Sequence, residues 1–114
     1  MDAVEMLLLF DYYGDMLAER QRMCLDLRYN QDMSLAEIAQ ELGVSRQGVH
    51  DNIIRAEAHL QKIEEKIGCV RRYRQSCAAV QTIQTAVKTL ENHPDPEVGK
   101  LAKQIAAAAE SIEE

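Results

Sequence analysis

The chain's 114 residues include 13 basic and 19 acidic side chains, a formal net charge of −6. That balance argues against diffuse attraction to phosphate polymers, which comes from Lys and Arg displacing counterions. Ala, Leu, Ile, Gln and Glu dominate, aromatics make up 4%, and only 5 Gly and 2 Pro interrupt them; the mixture favours helices in one domain, or one domain plus an extension.

The opening run MDAVEMLLLFDYY has five apolar residues in a row, Met6 to Phe10, with acids before it and Asp11 after it. It lacks the basic start of a signal peptide and is too short to cross a bilayer, so it predicts a buried helix over 3–13 in a cytoplasmic protein without membrane insertion. Val4, Leu7, Leu8 and Asp11 share one side, and Met6, Leu9, Phe10 and Tyr13 another. An apolar belt that wide predicts burial on more than one face. Gly14 is the expected C′ stop.

A second helix is predicted over about 18–29, with Cys24, Leu27 and Leu17 inward and Met23 and Tyr29 flanking. Cys24, Cys69 and Cys77 are odd in number and form no CxxC, which fits reduced thiols. Asn30 to Met33 reads as a polar loop. Ser34 caps a third helix, Leu35 to Glu41, and Glu37 completes an S-x-x-E capping box. Leu35, Ile38, Ala39 and Leu42 face inward.

Gly43 ends that helix and Ser45 caps the next. The fourth helix is long, because Val49, Ile53, Ala56, Leu60, Ile63 and Ile67 recur at steps of four and three until Gly68. Twenty-odd residues at about 1.5 Å each make a rod of roughly 30 Å, longer than a DNA-reading helix needs. A fifth helix takes 69–91, with Val70, Tyr73, Cys77, Val80, Ile83, Val87 and Leu90 in its stripe. NHPDPE forbids continuation, after which Asp95 caps a last helix with Pro96 at its first position. Val98, Leu101, Ile105, Ala108 and Ile112 repeat there at heptad spacing. Two such stripes joined by a turn predict an antiparallel helical hairpin.

The stretch SLAEIAQELGVSRQGVHDNIIRAEAHL, Ser34 to Leu60, has the marks of a helix-turn-helix. Ala39 is small where the helices cross, Gly43 permits the turn, and Ile38, Leu42, Val44 and Val49 pin the pair. If the second helix enters a major groove, Ser45, Arg46, Gln47, His50 and Asp51 meet base edges, with Arg46 suited to guanine and Gln47 to adenine. Arg55 is placed for a phosphate. Against this, Leu35 to Ala58 contains two basic residues and four acids, Glu37, Glu41, Asp51 and Glu57. The alternative is a motif kept for packing or for a protein partner. Gly48 inside the helix should cost about 1 kcal/mol relative to Ala, read either as tolerated weakening or as room for a partner's backbone. Asn52 should face inward, bonded to the preceding loop or used in binding, since a buried amide needs partners.

These residues resemble the YlxM family of small bacterial proteins. SRQ-V-DNI-RAE (Ser45 to Glu57) and FDYY (Phe10 to Tyr13) are the most specific parts, and the resemblance covers about residues 4–75. It implies a fold like the fourth region of primary sigma factors. It also implies a helix-turn-helix expected to bind DNA, and a regulatory part in the signal recognition particle pathway, whose protein gene neighbours members' genes. The DN pair, Asp51–Asn52, belongs to the pattern. Gly48 stands where members usually carry Ala, and Ala18 replaces a capping Thr, which leaves that duty to Asp15. The hairpin rests on periodicity alone.

No Gly-rich phosphate loop, nucleophile elbow or paired-acid cleft is visible, so no enzyme and no cofactor is expected. His50, His59 and His93 lack metal spacing, and no metal site is expected either. RRYR, with Arg71, Arg72 and Arg74 around Tyr73, is the densest basic cluster, in a stretch (67–114) with 6 basic and 6 acidic residues, against 7 and 13 in 1–66. It reads as a solvated face or as a contact for RNA or an acidic protein.

The expectation is therefore an all-α protein of about six helices. Residues 1–67 form a sigma-region-four-like bundle and 68–114 a C-terminal hairpin that joins the chain into a symmetric homodimer or a larger helical assembly. The expected function is a non-enzymatic regulatory adaptor that binds the signal recognition particle protein or RNA. A DNA-binding transcriptional regulator is the alternative.

Overall fold

The computed structural model of the chain describes residues 2–112. It is helical, with no strand among those residues. Six α-helices follow in order: α1 Ala3–Tyr13, α2 Glu19–Leu25, α3 Leu35–Leu42, α4 Arg46–Ile67, α5 Cys69–Glu91 and α6 Pro96–Glu110. The chain divides into two compact units, one ending at Val70 and one beginning at Arg71. The first unit takes in the start of α5 because Val70 is buried in its core. Residues 113–114 of the expected hairpin lie outside the described residues.

In the first unit, the Asp2 carboxylate accepts the Glu5 N–H at 2.7 Å and caps α1. Met6, Leu9 and Tyr13 are buried and Leu7, Leu8 and Phe10 half-buried, whereas Val4 stays exposed. Gly14 is not the left-handed stop that its position suggests. Its φ is −55°, and the chain runs on into a 3₁₀ turn, Gly14–Met16. Space is tight there, since a Cβ would stand 3.1 Å from the Phe10 ring, which would have to shift by a few tenths of an ångström.

α2 opens at Ala18 without a side-chain cap, so Asp15 does not take over that duty. It runs on as a π turn over Asp26–Asn30. Leu25 joins Cys24 at the centre of the core while Leu27 is only half-buried. The loop to α3 closes through the Arg28 Nη1 donating to the Met33 carbonyl at 3.0 Å. Asp32 takes a φ of +54°, a left-handed conformation that short polar side chains tolerate.

The α3 capping box is complete. Ser34 Oγ accepts the Glu37 N–H at 3.1 Å, and the Glu37 carboxylate accepts the Ser34 N–H at 3.0 Å. The backbone donor holds the Glu37 carboxyl below its usual range. Gly43, at φ +68°, ends α3, and Ser45 Oγ caps α4 by accepting the Gly48 N–H at 3.0 Å. Val49, Ile53, Ala56, Leu60 and Ile63 of α4 are buried as their spacing predicts. Ile67 is 43% exposed, because the stripe runs out just before the left-handed turn at Gly68.

A polar latch closes this unit. The Tyr13 hydroxyl donates to Glu64 Oε1 at 2.8 Å and accepts the Cys69 N–H at 3.0 Å, and the same Glu64 oxygen accepts the Val70 N–H at 3.1 Å. Side chains of α1 and α4 thus satisfy two amides that a helix start leaves without intrahelical partners. Burial, aided by the bond to Glu64, pushes the Tyr13 hydroxyl up to about 12.

In the second unit, Asp95 caps α6 by accepting the Glu97 N–H at 3.0 Å, with Pro96 in the first turn. Val80 and Val87 of α5 and Ala102 and Ala109 of α6 are buried. The expected α6 stripe is not the packed one. Leu101, Ile105 and Ile112 are 55%, 44% and 56% exposed, Ala108 is exposed and Val98 half-buried. The buried row of α6 is thus its alanines, and the bulky row is turned to solvent. Ile83 and Leu90 of α5 are exposed as well.

Candidate partner-binding face of the helix-turn-helix

The helix-turn-helix is held by few contacts, each of a type its sequence required. Ile38 and Val49 are buried, and Ala39, Leu42 and Val44 half-buried around them. The Gly43 and Val44 N–H groups both return to the Ala39 carbonyl, the latter at 3.0 Å, which tightens the turn. The buried stripe of α4 then fixes what its opposite side presents. At 100° per residue, Gln47, Asp51, Ile54 and Ala58 point directly outward. Arg46 and His50 lie toward one edge of that face and Arg55 toward the other. All seven are exposed, as is Ser45 at the cap.

The outward face is organised around a carboxylate. Gln47 Nε2 donates to Asp51 Oδ1 at 3.0 Å, and His50 Nδ1 lies 3.7 Å from the same oxygen. Three of the residues nominated from sequence therefore converge on each other. The Gln47–Asp51 pair is an exposed i,i+4 contact worth a few tenths of a kcal/mol, so Gln47 can leave it. Asp51 still accepts hydrogen bonds without donating any, and its charge opposes phosphate.

The other acids of the element are placed differently. Glu37 is held in the capping box. Glu57 is half-buried, turned toward the Tyr29 hydroxyl at 3.5 Å. Burial pushes the Glu57 carboxyl up, and the Tyr29 contact partly opposes this. Glu41 is exposed.

Two odd positions resolve locally. Asn52 Nδ2 donates to the Gly48 carbonyl at 2.9 Å, so its bond runs back along α4 and not to the preceding loop. A Cβ on Gly48 would stand 3.1 Å from Ser45 Oγ, so the glycine leaves the capping hydroxyl unhindered. Sequence reasoning missed Ile54, which is 53% exposed on the outward face. Its signal was an isoleucine three residues after Asp51 and off the inward stripe.

Arg71, Arg72 and Arg74 are exposed on the first turns of α5 in the second unit, with Arg72 and Arg74 flanking half-buried Tyr73 and Arg71 nearer the far side of the helix. They form a set of their own. Among the described residues no three of His, Cys, Asp and Glu could together hold a metal ion. Burial pushes the Cys24 thiol up, partly opposed by Arg20, which disfavours the reactive thiolate. No helix among the described residues is long and apolar enough to cross a membrane.

The family UPF0122, described as "Putative helix-turn-helix protein, YlxM / p13 like", matches residues 2–96. A UPF0122 protein of Thermoanaerobacter sp. (strain X514) is 38% identical over 112 residues, covering 97% of this chain and 96% of its own. One from Acetivibrio thermocellus is 41% identical, covering 100% and 99%. One from Halalkalibacterium halodurans is 44% identical over 79 residues, covering 69% and 72%. The likeness thus runs well beyond the residues 4–75 that carry the motifs, into the hairpin.

Proposed function

The chain belongs to the UPF0122 family, and from that premise we propose that it is a non-enzymatic regulatory adaptor whose helix-turn-helix engages a protein and not a DNA duplex. One observation carries this reading: Asp51 occupies the middle of the outward face of α4, where a duplex reader needs donors and cations. Ile54 beside it supplies the apolar contact that a protein interface uses. The pathway that the YlxM resemblance points to is protein targeting by the signal recognition particle. Its protein would dock on the α4 face, and its RNA would meet Arg71, Arg72 and Arg74.

The test is direct binding of the full chain to purified particle protein and, separately, to particle RNA. Saturable binding of the protein is expected, weakened at least tenfold by Asp51→Arg. Any RNA binding should fall with Arg71→Ala, Arg72→Ala and Arg74→Ala combined. No binding to either component rejects the pathway.

A second reading rests on Arg46 and Arg55. They lie toward opposite edges of the α4 face, as side chains that straddle a groove would. On that reading the chain is a DNA-binding transcriptional regulator. A low-salt gel shift with a pool of genomic fragments would then show selective retention, lost when Arg46 and Gln47 become Ala.

A further inference from the structure

The hairpin of the second unit leaves a continuous apolar face uncovered. One side of the hairpin is polar: a groove between its helices is lined by Gln84, Lys88 and Glu91 of α5 and Glu110 of α6, with Val87 and Ala106 at its floor. At 100° per residue, Ile83 and Leu90 fall on the other side of α5, and Leu101 and Ile105 on the other side of α6, with Ile112 in the turn just past its end. All five are exposed, and Ala108 continues the α6 row. Lys88, Glu91, Lys103 and Glu110 all point elsewhere. Glu97, one turn before Leu101, borders one end of this row, and between that border and Ile112 a face of large aliphatics without charge is the mark of an interaction surface.

The spacing says what kind of partner fits. Leu101, Ile105 and Ala108 follow one another at steps of four and three, the seam of a helix that packs on another helix, and Ile112 extends the row into the turn after Glu110. Ala102 and Ala109 are already used against α5, so α6 has a second apolar side with nothing on it.

That seam is complementary to itself. Laid antiparallel on a copy of α6, with the two-fold axis between residues 106 and 107, Leu101 meets Ile112 of the second copy and Ile105 meets its Ala108. Large residues oppose each other at the ends, and large opposes small near the axis. No charge enters any layer. Ile83 and Leu90 then flank the second copy's α6, which completes a four-helix arrangement of two hairpins.

We propose that a second copy of this chain covers this face, α6 against α6 in antiparallel register, giving an isologous dimer. The proposal stands apart from the reading of the α4 face and holds whichever ligand that face takes.

Light scattering of the full chain tests it. The expected mass at tens of micromolar is that of two chains. Ile105→Lys sets like charges beside the axis, and the mass should fall to one chain with the helical circular dichroism retained. Ile105→Gln adds no charge and keeps the test decisive should the lysine unfold the hairpin.

Orientation is read by cysteine pairs, with Cys69→Ser and Cys77→Ser in the background. Leu101→Cys with Ile112→Cys should oxidise to a covalent dimer, and neither cysteine alone should. A one-chain mass for the unaltered protein overturns the proposal. So does a dimer indifferent to both Ile105 changes, or a covalent dimer from Leu101→Cys alone, which marks a parallel pair.

Discussion

The two units treat apolar surface in opposite ways. The first buries thirteen residues in one cluster drawn from α1, α2, α3, α4 and the start of α5, and its latch satisfies the polar groups at the seam. Among its described residues the second buries four apolar ones, two valines and two alanines, and exposes Ile83, Leu90, Leu101, Ile105 and Ile112. The lesson concerns what each is for. A bundle that closes its own core can offer a polar outer face to a partner without needing one to fold. A two-helix hairpin has no such independence, because two helices cannot enclose a bulky row between them.

Substitutions can break that contrast, and the largest effect should come from the first core. Leu60→Ala removes a fully buried side chain and should cost about 2–5 kcal/mol in urea unfolding. A loss below ~1 kcal/mol would mean that the core is less closed than described.

Tyr13→Phe should come next, at about 1–3 kcal/mol, since it strands the Cys69 N–H and takes a donor from Glu64. It also has a pH signature. With the hydroxyl at 10.0 ordinarily and about 12 in the fold, the folded chain keeps a proton that the unfolded chain has lost. This share of stability is intact below about pH 10 and falls as pH rises toward 12. Unfolding of the two proteins across that range should show a steeper alkaline loss in the unaltered chain than in the phenylalanine variant.

Gly43→Ala should cost about 1–2 kcal/mol. Nothing lies within 4 Å of the added Cβ, so the cost is that of the +68° backbone alone. Ser34→Ala should cost about 1 kcal/mol through the capping box. Thermal melts check both.

Much of this was legible from residue spacing. The α4 stripe from Val49 to Ile63, the Ser34–Glu37 box, the Gly43 turn and the Asp95–Pro96 start all follow from local rules. Those rules act within one turn of helix, and the structure obeys them. What spacing could not supply was the choice between two apolar rows on one helix. On α6 the heptad of large residues and the row of alanines are equally periodic, and only the fold shows that the alanines are the buried row.

The latch was hidden for a related reason. Tyr13 and Glu64 are 51 residues apart, and nothing in either neighbourhood announces the other. At the α4 face, sequence supplied the exposed residues but counted Glu57 with the other acids set against DNA. Its contact with Tyr29, 28 residues away, turns it inward. Ile54 was passed over because an exposed isoleucine has meaning only once its helix face is known.

The most direct test of the α4 face is fluorescence anisotropy of the full chain titrated into a pool of genomic duplexes, from about 25 to about 200 mM salt. With Asp51 at its centre, the face should give no sequence-selective binding at any of these salt concentrations, and Asp51→Asn should change little. Selective capture that weakens steeply with salt and vanishes when Arg46 and Gln47 become Ala would contradict the account.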